Sequence, residues 1–196
     1  MIRTTEEKNV TEQQPPRPQT TMRRYGPGDI PALLDTLTEI WTDAHQGDRE
    51  SAEAGFDSDS LRRQITGHAA KHDGFTLIAA YRDGEMAGFG YAFPATPSYW
   101  YGDQLLPSIP EPARTTTRLI GVCELAVRPG WQGHGIGTAL HTELLRVLAP
   151  AWSSLLVMPG NRSARRLYDR LGYTYAGPYQ AGTDGPVLDL LLRAVS

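Results

Sequence analysis

The run V-R-P-G-W-Q-G-H-G-I-G-T-A-L at residues 127–140 takes a strand-like stretch into a glycine loop and out again as a helix. This arrangement constrains the fold more than any other part of the chain. Gly133, Gly135 and Gly137 remove side chains where an anion must approach the backbone, and they permit positive φ angles that other residues resist. Several amides can then converge on one anion. A helix beginning near Ile136 or Gly137 would add its free N–H groups and the positive end of its dipole. The pattern therefore predicts an α/β fold that presents a phosphate cradle at the start of a helix.

Two widespread phosphate loops do not fit. A Walker loop ends in Gly-Lys-Ser/Thr, whereas Gly137 is followed directly by Thr138. A dinucleotide fold needs G-x-G-x-x-G after the first strand of a βαβ unit. Here the third glycine comes one residue early, and the loop lies two-thirds of the way along the chain. What remains is Gln132-x-x-Gly135-x-Gly137 behind L-A-V-R-P, followed downstream by N-R-S-A-R-R-L-Y-D-R-L-G-Y at residues 161–173. The first pattern resembles the Arg/Gln-x-x-Gly-x-Gly/Ala pyrophosphate loop of the GNAT superfamily of acyl-CoA N-acyltransferases. The second resembles the N-x-x-A-x-x-L-Y-x-x-x-G-F segment that follows that loop, with Tyr173 in place of phenylalanine. The motif-level resemblance covers residues 119–173.

Composition bounds the remaining possibilities. The 196 residues, 40% of them hydrophobic, suit a single core. A net charge of −3 provides no electrostatic footprint for nucleic acid. No run is long enough to cross a bilayer, and no early apolar run reads as a signal peptide. The single Cys123 cannot form an internal disulfide, so a reducing, cytoplasmic setting is expected.

Along the chain, residues 1–19 are polar and proline-bearing and read as a disordered tail, leaving residues 20–196 as one domain. A strand is expected at 20–25, then a helix with Asp29 as N-cap and Leu33, Leu34, Leu37, Ile40 and Trp41 on its apolar face. A second helix is expected at 58–71. Strands at 75–81 and 86–93 flank Arg82-Asp83-Gly84-Glu85, a hairpin signal. A buried strand at 119–127 enters the glycine loop, and the next helix carries Leu140, Leu144, Val147 and Leu148 until Pro150. A strand at 154–158, a helix at 161–171 and closing strands at 173–180 and 187–193 complete the series. This order agrees with the fold the resemblance implies: a mixed, mostly antiparallel sheet, splayed beside the acyl-CoA site, with helices on both faces.

The resemblance also implies function. It points to direct transfer of an acetyl group from acetyl-CoA to an acceptor amine within a ternary complex, without a metal. By resemblance, the backbone at Leu125, Ala126 and Val127 would hold the pantetheine arm, and an N–H near Leu125 would polarise the thioester carbonyl. Gln132, Gly133, His134, Gly135, Ile136, Gly137 and Thr138 would form the pyrophosphate loop. Asn161 would contact the pantetheine or cap its helix. Tyr168 matches the family's general acid, because a phenol stays protonated until a thiolate leaves.

Glu124 is a charged residue in an apolar strand, which suggests either the general base or a structural ion pair. Strand alternation places it opposite the face of Cys123, Leu125 and Val127 unless a bulge intervenes. Arg128 and Arg162 are further candidates for the phosphates. His68 and His72 lie four apart on a helix but lack a third ligand, so they read as solvated.

The acceptor must be sought in two variable regions. Asp43, Asp48, Glu50, Glu53, Asp57 and Asp59 form an acidic connection that could attract a cationic amine. Residues 94–118, with Ser98-Tyr99-Trp100-Tyr101-Gly102-Asp103, read as a long lid or dimer-packing loop. A small-molecule amine is the first reading of the acceptor. A peptide or protein amine and a non-catalytic acyl-CoA sensor are the alternatives, and the chain could be a monomer or a homodimer.

Overall fold

A computed structural model of the chain describes residues 19–46, 52–180 and 185–195. Strand β1 (Thr21–Tyr25) leads into helix α1 (Ile30–Ala44), followed by helix α2 (Ser58–Lys71). Strands β2 (Thr76–Arg82) and β3 (Glu85–Ala95) form the expected hairpin. Its turn holds Asp83 at φ 51° and Gly84 at φ 85°, the paired left-handed conformation that matches strand twist. Two short helices follow, α3 (Pro97–Leu105) and α4 (Glu111–Arg114). Strand β4 (Leu119–Val127), helix α5 (Ile136–Leu148), strand β5 (Trp152–Val157) and helix α6 (Arg162–Arg170) come next. Strands β6 (Thr174–Gln180) and β7 (Val187–Ala194) close the chain. The seven strands form one open sheet in the order β1-β2-β3-β4-β5-β7-β6.

Every neighbouring pair is antiparallel except β4 with β5. That parallel pairing joins only Leu119–Val122 to Trp152–Leu155. Beyond Val122 the two strands diverge, and the splay opens into a cleft. A core of Ile78, Ile120, Val122, Leu140, Leu144, Tyr168 and Tyr173 fills one face of the sheet, beneath α5 and α6. A second core of Leu37, Ile40, Trp41, Leu61, Ile65, Phe89 and Phe93 fills the other, beneath α1 and α2. No helix among the described residues is long and apolar enough to cross a membrane.

Three sequence expectations need correction. Asp29 precedes α1 but does not cap it: it is already in the right-handed helical region, and its carboxylate accepts the Gly26 N–H at 2.8 Å. Asp57, read as part of an acidic rim, is instead the N-cap of α2, bonded to the Ser60 N–H at 2.7 Å. Residues 94–118 are largely helical, with Thr96 capping α3 and Pro97 in its first turn, where a missing N–H costs nothing. The disordered-tail reading of the N-terminus falls almost wholly outside the described residues.

Candidate active site

The glycine loop folds as its composition dictates, with one change. Gly133 at φ 76° and Gly135 at φ 80° occupy the left-handed region, and a Cβ on either would meet open space. Gly135 is the N-cap of α5. The first helical bond runs from the Ala139 N–H to the Gly135 carbonyl, so the amides of Ile136, Gly137 and Thr138 have no partner within the helix. Gly137 differs from the other two: it is helical, and a Cβ there would lie 3.4 Å from Leu167 Cδ2, so its role is close packing against α6. Gln132 Nε2 donates to the Val127 carbonyl at 3.0 Å, and His134 Nδ1 donates to the Gln132 carbonyl at 2.8 Å. Both bonds brace the loop. Thr138 is exposed, while Ile136 buries its side chain and leaves only its N–H to the loop.

The cleft between β4 and β5 opens into a cavity of ≈ 640 Å³. Leu125 and Asn161 line it, as do Tyr168 and Glu124. Asn161 also caps α6 by accepting the Ala164 N–H at 3.0 Å, so its two sequence readings are compatible. Ala126 and Val127 turn their side chains into opposite cores and can offer only backbone to the cleft. Tyr168 is 7% exposed, with its ring edge-on to Tyr173 at 5.5 Å. Burial pushes its phenol well above the usual range, aided by Tyr173 and by the nearby Glu124 carboxylate.

Glu124 reaches this cavity because of a bulge. Tyr91 pairs with Glu124 and Ala92 with Val122, so Cys123 is an extra residue opposite that step. Cys123 packs in the core beneath α1, and Glu124 bonds to α1, so two consecutive side chains share one face. Simple alternation, which separates them, fails at this point. The Glu124 Oε2 accepts the Trp41 indole N–H at 3.1 Å, and Oε1 accepts the Leu125 N–H at 3.2 Å. Among the described residues its hydrogen-bond partners are these two N–H groups, and no Lys or Arg pairs with it. Burial pushes its carboxyl up, opposed by His45, the Leu125 N–H and the Trp41 N–H.

Away from the cleft the cavity is walled by aromatic rings. Trp41, Phe56, Phe93, Tyr99 and Trp100 all line it. Trp100 stands where a Cβ on Gly121 would lie 2.1 Å from its ring, so the glycine makes room for this wall. His68 and His72 are not the solvated pair expected from sequence. His72 stacks on Phe93 at 3.8 Å and meets the Tyr99 hydroxyl at 3.2 Å. His68 is bonded to the Tyr91 hydroxyl at 3.1 Å, and burial lowers its imidazole to about 4. Among the described residues no three His, Cys, Asp or Glu side chains are grouped to hold a metal ion.

The described members of the acidic connection do not line the cavity. Asp43 is bonded to Arg128, which also lies 3.7 Å from Glu39, so this arginine is engaged by α1. Asp48 and Glu50 lie outside the described residues. Trp41 and His45 carry no sequence signal of a site: Trp41 reads as one more apolar position of α1, and His45 belongs to no motif. Only the bulge and the packing of α1 on β4 bring them to Glu124.

Comparison with known proteins agrees with this geometry. The model of the Acetyltransferase (GNAT) family matches residues 32–173. No curated protein sequence matches the chain significantly. Solved structures share the fold at low identity. One is the PaiA N-acetyltransferase of Thermoplasma acidophilum bound to coenzyme A: 14% identity, TM-score 0.56, covering 90% of this chain and 99% of that one. Another is the ribosomal-protein-S18-alanine N-acetyltransferase of Escherichia coli: 20% identity, TM-score 0.58, covering 91% and 95%. A third is Arabidopsis thaliana NAA60 bound to acetyl-CoA: 18% identity, TM-score 0.61, covering 90% and 99%. With the family match spanning well over half of its length, and with the splayed sheet and the glycine loop in place, the chain belongs to the GNAT acetyltransferase family.

Proposed function

We propose that the chain transfers an acetyl group from acetyl-CoA to a primary amine of a compact small molecule. The observation that carries this reading is the single cavity in which Tyr168, Glu124 and the β4 edge meet beneath aromatic walls. The residues present suit the donor. The unpartnered amides of α5 and the space above Gly133 and Gly135 fit a pyrophosphate, and the Leu125 backbone and Asn161 fit a pantetheine arm. When bound, acetyl-CoA supplies an activated thioester.

The protein's own groups divide the remaining work. Glu124, the one carboxylate of the cavity lining among the described residues, attracts the acceptor's ammonium. A carboxylate drawn toward that ammonium releases the Leu125 N–H, which is then free to polarise the carbonyl oxygen. Tyr168 donates a proton as the thiolate departs, and its burial keeps that proton in place beforehand. Aromatic walls favour a flat or apolar carrier for the amine, since cation–π contact and ring packing reward both.

Acetyl-CoA consumption with a panel of arylalkylamines, polyamines, aminoglycosides, amino acids and peptides tests the proposal. Turnover is expected with a small amine. Selective turnover of peptides would replace the acceptor class, and coenzyme A binding with no turnover of any amine would make the chain a sensor. In Tyr168→Phe, turnover is expected to fall by roughly 10²- to 10⁴-fold while coenzyme A affinity holds.

A further inference from the structure

An ammonium must lose a proton before its nitrogen can attack, and the cavity contains a better receiver for it than Glu124. We propose that His45, at the C-terminal end of α1, is the general base, held in the competent tautomer by the Trp41 carbonyl. The inference rests on the acetyltransferase reading above.

The tautomer follows from one bond. His45 Nδ1 lies 2.8 Å from the Trp41 carbonyl oxygen, which can only accept, so Nδ1 carries the hydrogen. In the neutral ring Nε2 then keeps its lone pair. The ring stacks on the Trp41 indole at 4.2 Å with an interplanar angle of 24°, and it lines the same cavity as Glu124 and Tyr168. Trp41 therefore orients both polar partners: its carbonyl holds His45, and its indole N–H holds Glu124 Oε2 at 3.1 Å.

The other candidates have other tasks. Each oxygen of Glu124 accepts one hydrogen bond, and its carboxylate is the group that holds the ammonium by charge. Gln64 Nε2 donates to the Tyr91 oxygen at 3.1 Å, and His68 Nδ1 is engaged by the same hydroxyl at 3.1 Å. Burial lowers the His68 imidazole to about 4, which makes it a weak proton acceptor. Among the described residues, the titratable groups that line the cavity with His45 are Cys123 and Glu124 from β4, His68 from α2, Tyr99 from α3, Tyr168 from α6 and Tyr179 from β6. Glu39 and Asp43 on its own helix are engaged with Arg128. Of these, Glu124 is the charge that shares the cavity with His45, and its carboxylate favours the imidazolium that forms.

The proton balance closes. One ammonium proton passes to His45 Nε2 and then to solvent, freeing the nitrogen lone pair. The C–N bond forms and the C–S bond breaks, with Tyr168 protonating the departing sulfur. The second nitrogen proton returns to Tyr168 as the amide forms.

Two measurements test the base. Nitrogen-15 NMR of the histidine rings in the full chain, assigned with His45→Gln, should show His45 protonated at Nδ1 and bare at Nε2 near neutral pH. The opposite tautomer overturns the proposal. With an amine that the parent acetylates, His45→Gln should lower kcat/KM by roughly 10²- to 10⁴-fold and abolish the acidic limb of the pH-rate profile. Added imidazole should restore part of the rate. Glu124→Gln should raise KM for the amine and keep the limb. A parent that acetylates amines, with His45→Gln unchanged, overturns the base alone. A parent that acetylates none overturns the proposed function itself.

Discussion

Gly121→Ala provides a test of how the acceptor wall is built. A Cβ at this position would lie 2.1, 2.3 and 2.5 Å from three atoms of the Trp100 ring. The nearest of these is about 1.3 Å inside the 3.4 Å of ordinary contact, and the obstacle is a rigid indole rather than the end of a flexible chain. Trp100 is itself packed edge-on to Phe93 at 6.0 Å, so the ring cannot withdraw without disturbing that contact. Overpacking of this kind costs about 1–3 kcal/mol.

The same substitution in a Trp100→Ala background meets no ring. There it should be neutral or slightly stabilising, because glycine within a strand costs roughly 0.5–1 kcal/mol relative to alanine. Urea denaturation of the parent, both single variants and the double variant would measure the coupling. Equal destabilisation by Gly121→Ala in both backgrounds would refute the reasoning. Since Trp100 lines the cavity, the proposed function predicts that Gly121→Ala also raises KM for the amine while acetyl-CoA affinity stays near that of the parent.

Two further predictions concern the loop and the core. Gly135→Ala forces a side chain onto a residue at φ 80°, a strain of roughly 1–2 kcal/mol, and should weaken coenzyme A binding by calorimetry. Gly130→Ala, with open space at its Cβ and no positive φ, is the control and should bind normally. His141 is fully buried, bonded through Nε2 to the Tyr173 hydroxyl at 2.8 Å, and burial lowers its imidazole from 6.5 to about 4. The folded state thus binds this proton less tightly than the unfolded state. Its contribution, up to about 3 kcal/mol, is present in full above pH 6.5 and is lost as pH falls toward 4. Denaturation midpoints measured across that window should fall less steeply in His141→Gln; an unchanged slope would exclude His141 as the cause.

Legibility in the sequence followed the range of the interactions involved. The hairpin turn at Asp83-Gly84 and the helix start at Ile136 were readable to within a residue, because left-handed glycines and local pairing dictate them. Pro150 likewise marks the end of α5, where Ala149 leaves the helix at φ 44°. Asp29 was misread because its carboxylate accepts the N–H of Gly26, behind it in the chain, rather than an N–H of the first turn of α1. The prolines at 94, 97, 107, 110 and 112 disguised two short helices as a loop, since proline is tolerated in a first turn. Gly137 was assigned a conformational task, but its neighbour Leu167 lies on another helix, so its packing role has no local signature.

The sequence by itself determined the donor end of this protein. The glycine loop, the start of α5 and the segment from Asn161 to Tyr173 are nearly contiguous, and their chemistry is set by backbone conformation that short-range residue choice controls. Only the tertiary structure decided the acceptor end. Trp41 and His45 come from α1, Trp100 from α3 and Glu124 from β4, and the bulge at Cys123 turns Glu124 toward them. A bulge belongs to two paired strands rather than to one. The alternation of β4 taken alone could therefore not reveal that Cys123 and Glu124 share a face, nor that Trp41 would hold both a carboxylate and an imidazole.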